Sequence, residues 1–125
     1  MRGHVNQALG ARGEELASGH LQGTGYRILE RNFRSRGGEV DIVARDRDGT
    51  IVFVEVKTRS SLAFGLPQLA VTSRKQRQIA KGALCWLSRH GCHDQAARFD
   101  VVAVLLHDDG RSELEHIVNA FELSY

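Results

Sequence analysis

The sequence predicts a mixed α/β domain, in which a central sheet is flanked by helices in the order α-β-β-β-α-β-β. Three observations predict this fold class. Apolar residues recur at helical spacing in two segments, five short segments are rich in apolar residues, and glycine-containing turns separate many of them. Because 125 residues is the length of one domain with one core, residues 1–125 are expected to form a single domain.

Each element is identified by its apolar period and by the turn that ends it. The first helix ends before Gly23-Thr24-Gly25, and the strand after it runs into the basic, glycine-rich turn at 34–38. The next two strands surround Asp46-Arg47-Asp48-Gly49, a strong hairpin signal, and the second helix stops before Gly91. In order, the elements are predicted as a helix from Asn6 to about Gln22, strands at Tyr26–Phe33, Glu39–Arg45 and Ile51–Lys57, a helix from Ala70 to about His90, and strands at Arg98–Leu106 and Leu114–Phe121.

Composition and charge exclude several classes of protein. Lysine and arginine number 17 and aspartate and glutamate 15, so the net charge of +2 does not by itself identify a nucleic-acid-binding protein. The longest apolar run, Val101–Leu106, is far shorter than the roughly 20 residues of a membrane-spanning helix. No apolar signal segment follows Met1, and two cysteines make no disulfide framework. We therefore expect a cytoplasmic protein with no membrane contact and with reduced thiols at Cys85 and Cys92.

Charged side chains interrupt the strand Ile51–Lys57, which is otherwise a continuous apolar run typical of a central strand. Because side chains alternate between faces, Glu55 and Lys57 share one face with Phe53. Burial of these charges costs several kcal/mol unless they pair or bind a ligand. The preceding strand repeats the anomaly, since alternation places Glu39, Asp41 and Val43 on one face and Val40, Ile42 and Ala44 on the other.

The hairpin turn decides which residues of these two strands face each other. A loop formed by residues 47–49 would pair Asp46 with Thr50. The same register places Asp41 directly opposite Glu55, with their Cα atoms about 4.5–5.5 Å apart. Two carboxylates this close repel unless one is protonated or a cation lies between them. Mg²⁺ is a hard cation that one or two carboxylates can hold, so the register predicts a metal site.

The first helix offers a third carboxylate. Glu14 follows the line of Gly10, Ala17 and Leu21 and therefore points toward the buried side of the helix. Its neighbour Glu15 points to solvent. Glu14 is accordingly a candidate for the site, and Glu15 is a solubilising residue.

A purely structural interpretation of these charges is also open. Lys57 would then form an ion pair with Asp41 or Glu55 at the rim of the sheet. Three inward carboxylates against one lysine fit this interpretation poorly, because negative charge is in excess. The excess favours the metal site.

Asp41 and, on the next strand, Glu55-Val56-Lys57 resemble the core of the PD-(D/E)xK nucleases. A wider pattern, which extends over nearly the whole chain, is similar to the YraN-like family of small uncharacterised bacterial proteins. That family resembles archaeal Holliday-junction resolvases, which implies a restriction-endonuclease-like fold. The glutamate, aspartate and Glu-x-Lys of the resolvases match Glu14, Asp41, Glu55 and Lys57, while Val40 stands where the superfamily has proline. The wider pattern comprises Gly10-x-x-Gly13-Glu14-Glu15-x-Ala17, Gly25-Tyr26-x-Ile28-Leu29-x-Arg31-Asn32, Gly38-Glu39-Val40-Asp41-Ile42-Val43 and Val52-Phe53-Val54-Glu55-Val56-Lys57-Thr58-Arg59.

The resemblance implies metal-assisted hydrolysis of phosphodiester bonds in structured or branched DNA, with Mg²⁺ or Mn²⁺ as the cofactor. Asp41, Glu55 and the Val56 carbonyl would bind the metal, and Glu14 would bind a second metal or a metal-bound water. Lys57 would orient or deprotonate the attacking water, or offset charge on phosphorus. Cleavage of two strands would need two sites, which makes a homodimer attractive.

Basic residues near this site are expected to contact the nucleic-acid backbone, although a basic stripe is equally the solvated face of an ordinary helix. Two other functions remain open: a non-catalytic nucleic-acid-binding module with the same fold, and a small interaction protein with a buried ion network. The complete set of Asp41, Glu55, Val56 and Lys57 favours the enzyme. The predicted contact residues are Arg34, Arg36 and Arg59 in loops, the stripe Arg74, Arg77 and Lys81 on the second helix, and Lys75, which points toward the apolar side of that helix and into the cleft.

Overall fold

The computed structural model describes residues 2–60 and 71–122, with side chains from residue 8 onward. It confirms the mixed α/β class and the order α-β-β-β-α-β-β. The bounds of the elements differ from the predicted ones by a few residues. They are α1 (Arg2–Gly23), β1 (Arg27–Ser35), β2 (Gly38–Arg45), β3 (Ile51–Ser60), α2 (Ser73–Arg89), β4 (Ala97–Leu106) and β5 (Ser112–Phe121).

The two helices differ in how the described residues fix their ends. α2 begins at Ser73, whereas the sequence predicted a start at Ala70, which lies outside the described residues. Thr72 caps α2, because its side-chain oxygen accepts a hydrogen bond from the Lys75 backbone N–H at 3.1 Å. After α1, the Tyr26 N–H donates to the Leu21 carbonyl at 2.9 Å. In the described part of the chain, no helix has the length and apolarity needed to cross a membrane.

The sheet has the strand order β1-β2-β3-β4-β5. The first three strands form an antiparallel meander, α2 crosses over from β3 to the parallel strand β4, and β5 returns antiparallel to β4. α1 covers one face and α2 the other, which explains why the apolar part of β3 is wholly buried. The core beneath α2 includes Val43, Phe53, Ile79, Trp86 and Val101, and the core beneath α1 includes Leu21, Ile42, Val52, Val54 and Val104.

The prediction that Val40 lies on the same face as Ile42 and Ala44 is wrong. Val40 packs beneath α2, whereas Ile42 and Ala44 pack beneath α1. The alternation of side chains breaks at Asp41, after which the backbone pairing of β2 with β3 begins at Ile42. On β1, Asn32 lies between the residues that pair with Val40 and Ile42, and its φ of 54° is left-handed. Asp41 therefore lies beyond the regular β2–β3 ladder, at the position where the backbone of the neighbouring strand β1 is left-handed.

β2 and α2 approach each other so closely at Gly38 and Gly82 that neither position has room for a side chain. A Cβ on Gly38 would overlap the backbone nitrogen of Gly82, and a Cβ on Gly82 would lie 2.9 Å from the Glu39 nitrogen. Because the obstruction is backbone, rotation of a side chain cannot relieve it. The contact therefore fixes the height of α2 above the sheet.

Gly38→Ala is expected to lower the free energy of unfolding by about 1–3 kcal/mol, because α2 must move away from β2 to admit the methyl group. Urea denaturation measures the change. Gly19→Ala is the matched control, since a Cβ at this exposed position of α1 meets no atom within 4 Å. Alanine is a better helix former than glycine by about 1 kcal/mol, so the control should be at least as stable as the original chain. If Gly38→Ala is as stable as this control, the close approach does not hold α2 in place.

Asp100, on β4, is fully buried in a separate network of polar groups. It accepts hydrogen bonds from Arg98 Nε at 3.0 Å, His116 Nε2 at 2.7 Å and the Asn119 N–H at 2.9 Å. Burial alone would raise the pKa of Asp100, but these hydrogen bonds lower it below its ordinary value. The network joins β4 to β5 where their register shifts, so this carboxylate has a structural partner for its charge.

Candidate functional site

A cavity of about 340 Å³ opens between α1 and the strands β2 and β3. It brings together all five residues that the sequence analysis assigned to the catalytic and metal site. These residues are Glu14, Asp41, Glu55, Val56 and Lys57, and the other described residues of the lining are Leu9, Gly10 and Thr58.

The β2–β3 hairpin positions Asp41 beside Glu55 as the predicted register requires. The Asp46 N–H donates to the Thr50 carbonyl at 3.0 Å, which closes the turn around residues 47–49. Backbone pairing runs in the predicted register from Arg45–Ile51 to Ile42–Val54 and ends there, one step before Asp41 and Glu55, which line the same cavity. Beyond the ladder, Asp41 Oδ2 accepts a hydrogen bond from the Val56 N–H at 2.8 Å. The Asp41 side chain thus takes the place of a backbone acceptor and is held at the cavity wall.

Glu55 is a buried carboxyl group without full hydrogen bonding. The residue is 4% exposed, and its Oε2 atom has no hydrogen-bond partner in the structure. Burial, and next the charge of Asp41, raise the pKa of Glu55 to about 8. A buried acceptor without a partner costs about 1–3 kcal/mol, so a proton or a cation bound to Glu55 would stabilise this site.

Among the described residues, the cation nearest to this carboxylate is Lys75 of α2, which the helical pattern had directed toward the cleft, although its ion pairs were not predicted. Lys75 Nζ lies 3.8 Å from Glu55 Oε1 and pairs closely with Glu39. That hydrogen bond holds the pKa of Glu39 below its ordinary value and, despite partial burial, the two glutamates raise the pKa of Lys75. Lys57 forms no ion pair within 4.0 Å with any described residue. The structural interpretation required Lys57 to pair with Asp41 or Glu55, and neither pair is found among the described residues.

Glu14 and Glu15 differ as the helical pattern predicted. The Glu15 side chain is 72% exposed and pairs with Arg31 at 2.5 Å, whereas the Glu14 side chain is 19% exposed and lines the cavity. Burial and the charge of Asp41 raise the pKa of Glu14, while hydrogen bonding to Asn32 acts in the opposite direction. Glu14 also lies 4.0 Å from Arg31, so it faces the cavity from the side of α1 with partners of its own.

The donor set fits a hard divalent cation held by few protein ligands. In residues 2–60 and 71–122, no three acidic, histidine or cysteine side chains converge on one point. Asp41 and Glu55 nevertheless offer two adjacent carboxylates, and the Oε2 atom of Glu55 lacks a partner. Mg²⁺ is commonly held by one or two carboxylates and completes its octahedron with waters and substrate phosphate. These residues could therefore hold Mg²⁺ or Mn²⁺, with the Val56 carbonyl as a further oxygen ligand.

The predicted basic residues divide into two groups. Arg74 and Lys75 line a second cavity of about 350 Å³ on the α2 side of the sheet, which shares Glu55 and Lys57 with the first cavity. The remaining described residues of its lining are Thr72 and Gln78. The end of the Lys81 side chain, including its Nζ atom, lies near Gly37, while Arg77 is exposed and lines neither cavity.

Two of the three arginines placed in loops by the sequence analysis are strand residues. Arg34 lies in β1 opposite Glu39, and Arg59 lies in β3 opposite Leu105, because both strands are longer than predicted. Only Arg36 occupies the turn between β1 and β2. The pairing of Glu39 with Lys75 was not predicted from the sequence. The signal for it was the direction of Lys75, which the helical pattern pointed toward the apolar side of the second helix and the cleft.

Comparison with known proteins identifies the relatives of this chain. A family model described as uncharacterised protein family UPF0102 matches residues 13–104, a span that contains Glu14, Asp41, Glu55, Lys57 and Lys75. A UPF0102 protein of Trichlorobacter lovleyi is 66% identical over 123 residues, covering 98% of this chain and 97% of the relative. UPF0102 proteins of Pelobacter propionicus and Syntrophomonas wolfei are 63% and 49% identical, over 96% and 94% of this chain and 86% and 100% of the relatives.

Proposed function

We propose a function for this chain, which belongs to the uncharacterised protein family UPF0102, the family of the YraN-like proteins. The proposed function of the chain is that of a divalent-metal-dependent endonuclease, which hydrolyses phosphodiester bonds in structured or branched DNA. One observation carries the proposal: Asp41 and Glu55 lie together at one cavity, the buried Glu55 has an oxygen without a partner, and Lys57 is beside them. The preference for branched DNA comes from the resemblance to resolvases, as does the expectation of a homodimer.

Asp41, Glu55 and the Val56 carbonyl are the proposed ligands of Mg²⁺ or Mn²⁺. When bound, the metal supplies Lewis-acid polarisation of the phosphate and a water of lowered pKa. Asp41 is held by the Val56 N–H at 2.8 Å, so one carboxylate is oriented before any ligand arrives. Glu55 must lose its proton to become a ligand, and Lys75 at 3.8 Å favours its charged form.

Lys57 and Glu14 supply the remaining groups. The Lys57 ammonium has no ion-pair partner within 4.0 Å among the described residues and lines both cavities, which leaves it available to the phosphate or the attacking water. There it would orient the water or offset negative charge on phosphorus. Glu14 reaches the cavity from α1 and would hold a second cation or a water bound to it.

A cleavage screen tests the proposed function directly. Linear, flapped and four-way DNA and matched RNA are incubated with Mg²⁺ or Mn²⁺, with a chelator control. Metal-dependent cleavage of at least one substrate supports the proposal, and the ranking of substrates identifies the preferred structure. Binding without cleavage under all conditions would favour the non-catalytic nucleic-acid-binding module.

Mn²⁺ is expected to raise the melting temperature of the protein, and Asp41→Asn is expected to remove this shift by removing one ligand charge. The stabilisation should grow as the pH rises toward and past about 8, because Glu55 must release a proton before it can bind the metal. Thermal melts at fixed Mn²⁺ between pH 6 and about 9 measure both effects. Glu115→Gln, an exposed change on β5, is the matched control. An Mn²⁺ shift that persists in Asp41→Asn would place the metal elsewhere.

A further inference from the structure

We propose that the second cavity, at the first turn of α2, binds a phosphate group of the nucleic-acid strand adjacent to the phosphate that is hydrolysed. The ligand class rests on the proposed function. The inference adds a binding subsite and a path for the strand, because the two cavities lie on either side of Glu55 and Lys57.

The geometry of the lining supports a continuous path. Glu55 and Lys57 line both cavities, and Gln78 lines the second cavity together with a third, of about 220 Å³, at the Gly37-Gly38 turn. A strand that passes Lys57 therefore leaves the α1 side of the sheet and enters the α2 side. The glycine turn at the far end allows a backbone to approach closely.

The charges in this cavity favour an anion. Three basic side chains, those of Lys57, Arg74 and Lys75, outnumber the one carboxyl group of the described lining, that of Glu55, and the first turn of the 17-residue helix α2 contains no acidic residue. The exposed N–H groups at a helix N-terminus carry partial positive charge and attract phosphate. A second, independent observation is that Lys57, which has no ion-pair partner within 4.0 Å among the described residues, lines this cavity as well as the first and so joins it to the proposed site of hydrolysis.

Arg74 is the most suitable residue for a test of phosphate binding in the second cavity. Lys75 is engaged with Glu39 and lies 3.8 Å from Glu55, so its charge is already partly used within the protein. Arg74 is exposed and has no ion pair within 4.0 Å among the described residues. Arg77, one turn further along α2, has the same charge but does not line the cavity. The stripe on α2 therefore divides into a residue at the cavity and a residue on the outer surface.

Equilibrium binding in chelator separates these residues without any need for catalysis. The probe is a fluorescein-labelled deoxyoligonucleotide, single-stranded or in a branched duplex, at fixed low salt. Arg74→Gln is expected to weaken binding about 5–10-fold, as expected for loss of a charged phosphate contact. Arg77→Gln should weaken it less than about twofold. Arg27→Gln is the control for loss of one charge, because Arg27 is exposed and begins β1, at the end of the strand away from the β1–β2 turn.

A scan with neutral methylphosphonate linkages then locates the contact on the strand. At one linkage, neutralisation should weaken binding by the original protein about as much as Arg74→Gln does, and should have no further effect in that variant. Equal losses in Arg74→Gln and Arg77→Gln, the absence of any such linkage, or no binding by the original protein would each overturn the subsite. If the coupled linkage is found but Mn²⁺-dependent cleavage is absent, the subsite stands and the proposed nuclease activity fails.

Discussion

Lys57→Ala is expected to reduce metal-dependent hydrolysis by at least about 10²–10³-fold, the usual loss when one preorganised charge is removed from a transition state. The ammonium lines both cavities beside Asp41 and Glu55, where negative charge on the phosphate would increase during attack by water. The rate should fall at saturating substrate, because the interaction strengthens in the transition state. Single-turnover cleavage of the best substrate from the screen measures this loss.

The same variant should remain folded. Lys57 is partly exposed and makes no ion pair within 4.0 Å in the described part of the chain, so its removal should change the free energy of unfolding by less than about 0.5 kcal/mol. Its Mn²⁺-induced thermal shift should persist, since the carboxylates are intact. Arg27→Ala, remote from the cavity, controls for loss of a cation. If Lys57→Ala unfolds the protein, or cleaves at the original rate, the catalytic role assigned to Lys57 is wrong.

Glu55→Gln is expected to stabilise the metal-free protein at alkaline pH. The pKa of Glu55 is raised from 4.5 to about 8, so the folded state binds more protons than the unfolded state between these values. The free energy of unfolding therefore falls as the pH rises through this window, and the contribution of Glu55 to it is lowest above about pH 8. A shift of this size corresponds to roughly 5 kcal/mol at most, and the variant should recover a large part of it.

Urea denaturation in chelator at pH 6 and about pH 9 tests this linkage. The free energy of unfolding of Glu55→Gln should be nearly equal at the two pH values. The original protein, and a control with the exposed change Glu115→Gln, should both lose stability on going to pH 9. The variant should also lose the thermal shift produced by Mn²⁺, because the ligand charge is gone. A variant that is destabilised equally at both pH values would show that Glu55 serves packing or an ion pair instead.

Local pattern predicted the fold and the position of the acidic pair. The hairpin signal at 46–49 fixes the register of β2 and β3, and a one-residue change in that register would move Asp41 to the other face. The helical line through Glu14 likewise predicted its direction correctly. These inferences succeed because turn length and residue period act over a few neighbouring residues.

Contacts between distant segments could not be predicted in the same way. The pairing of Lys75 with Glu39 depends on how closely α2 lies on the sheet, and that height is decided by Gly38 and Gly82. Likewise, Val40 and Ile42 pack in different cores beside the left-handed backbone of Asn32 on β1, which strict alternation within one strand does not describe. Both features arise from tertiary packing, which overrides local preference.

The parallel pairing of β3 with β4 joins residues 51–60 to residues 97–106, while the β2–β3 hairpin closes within a few residues. Hairpins form in microseconds, whereas non-local pairing must first overcome the entropy of closing a long loop. The two carboxylates are therefore expected to meet early, in water, where their repulsion is weak. Burial of Glu55 is expected later, when α2 and β4 dock. The electrostatic penalty then falls on the last stage of folding, so alkaline pH should mainly accelerate unfolding and leave the folding rate largely unchanged.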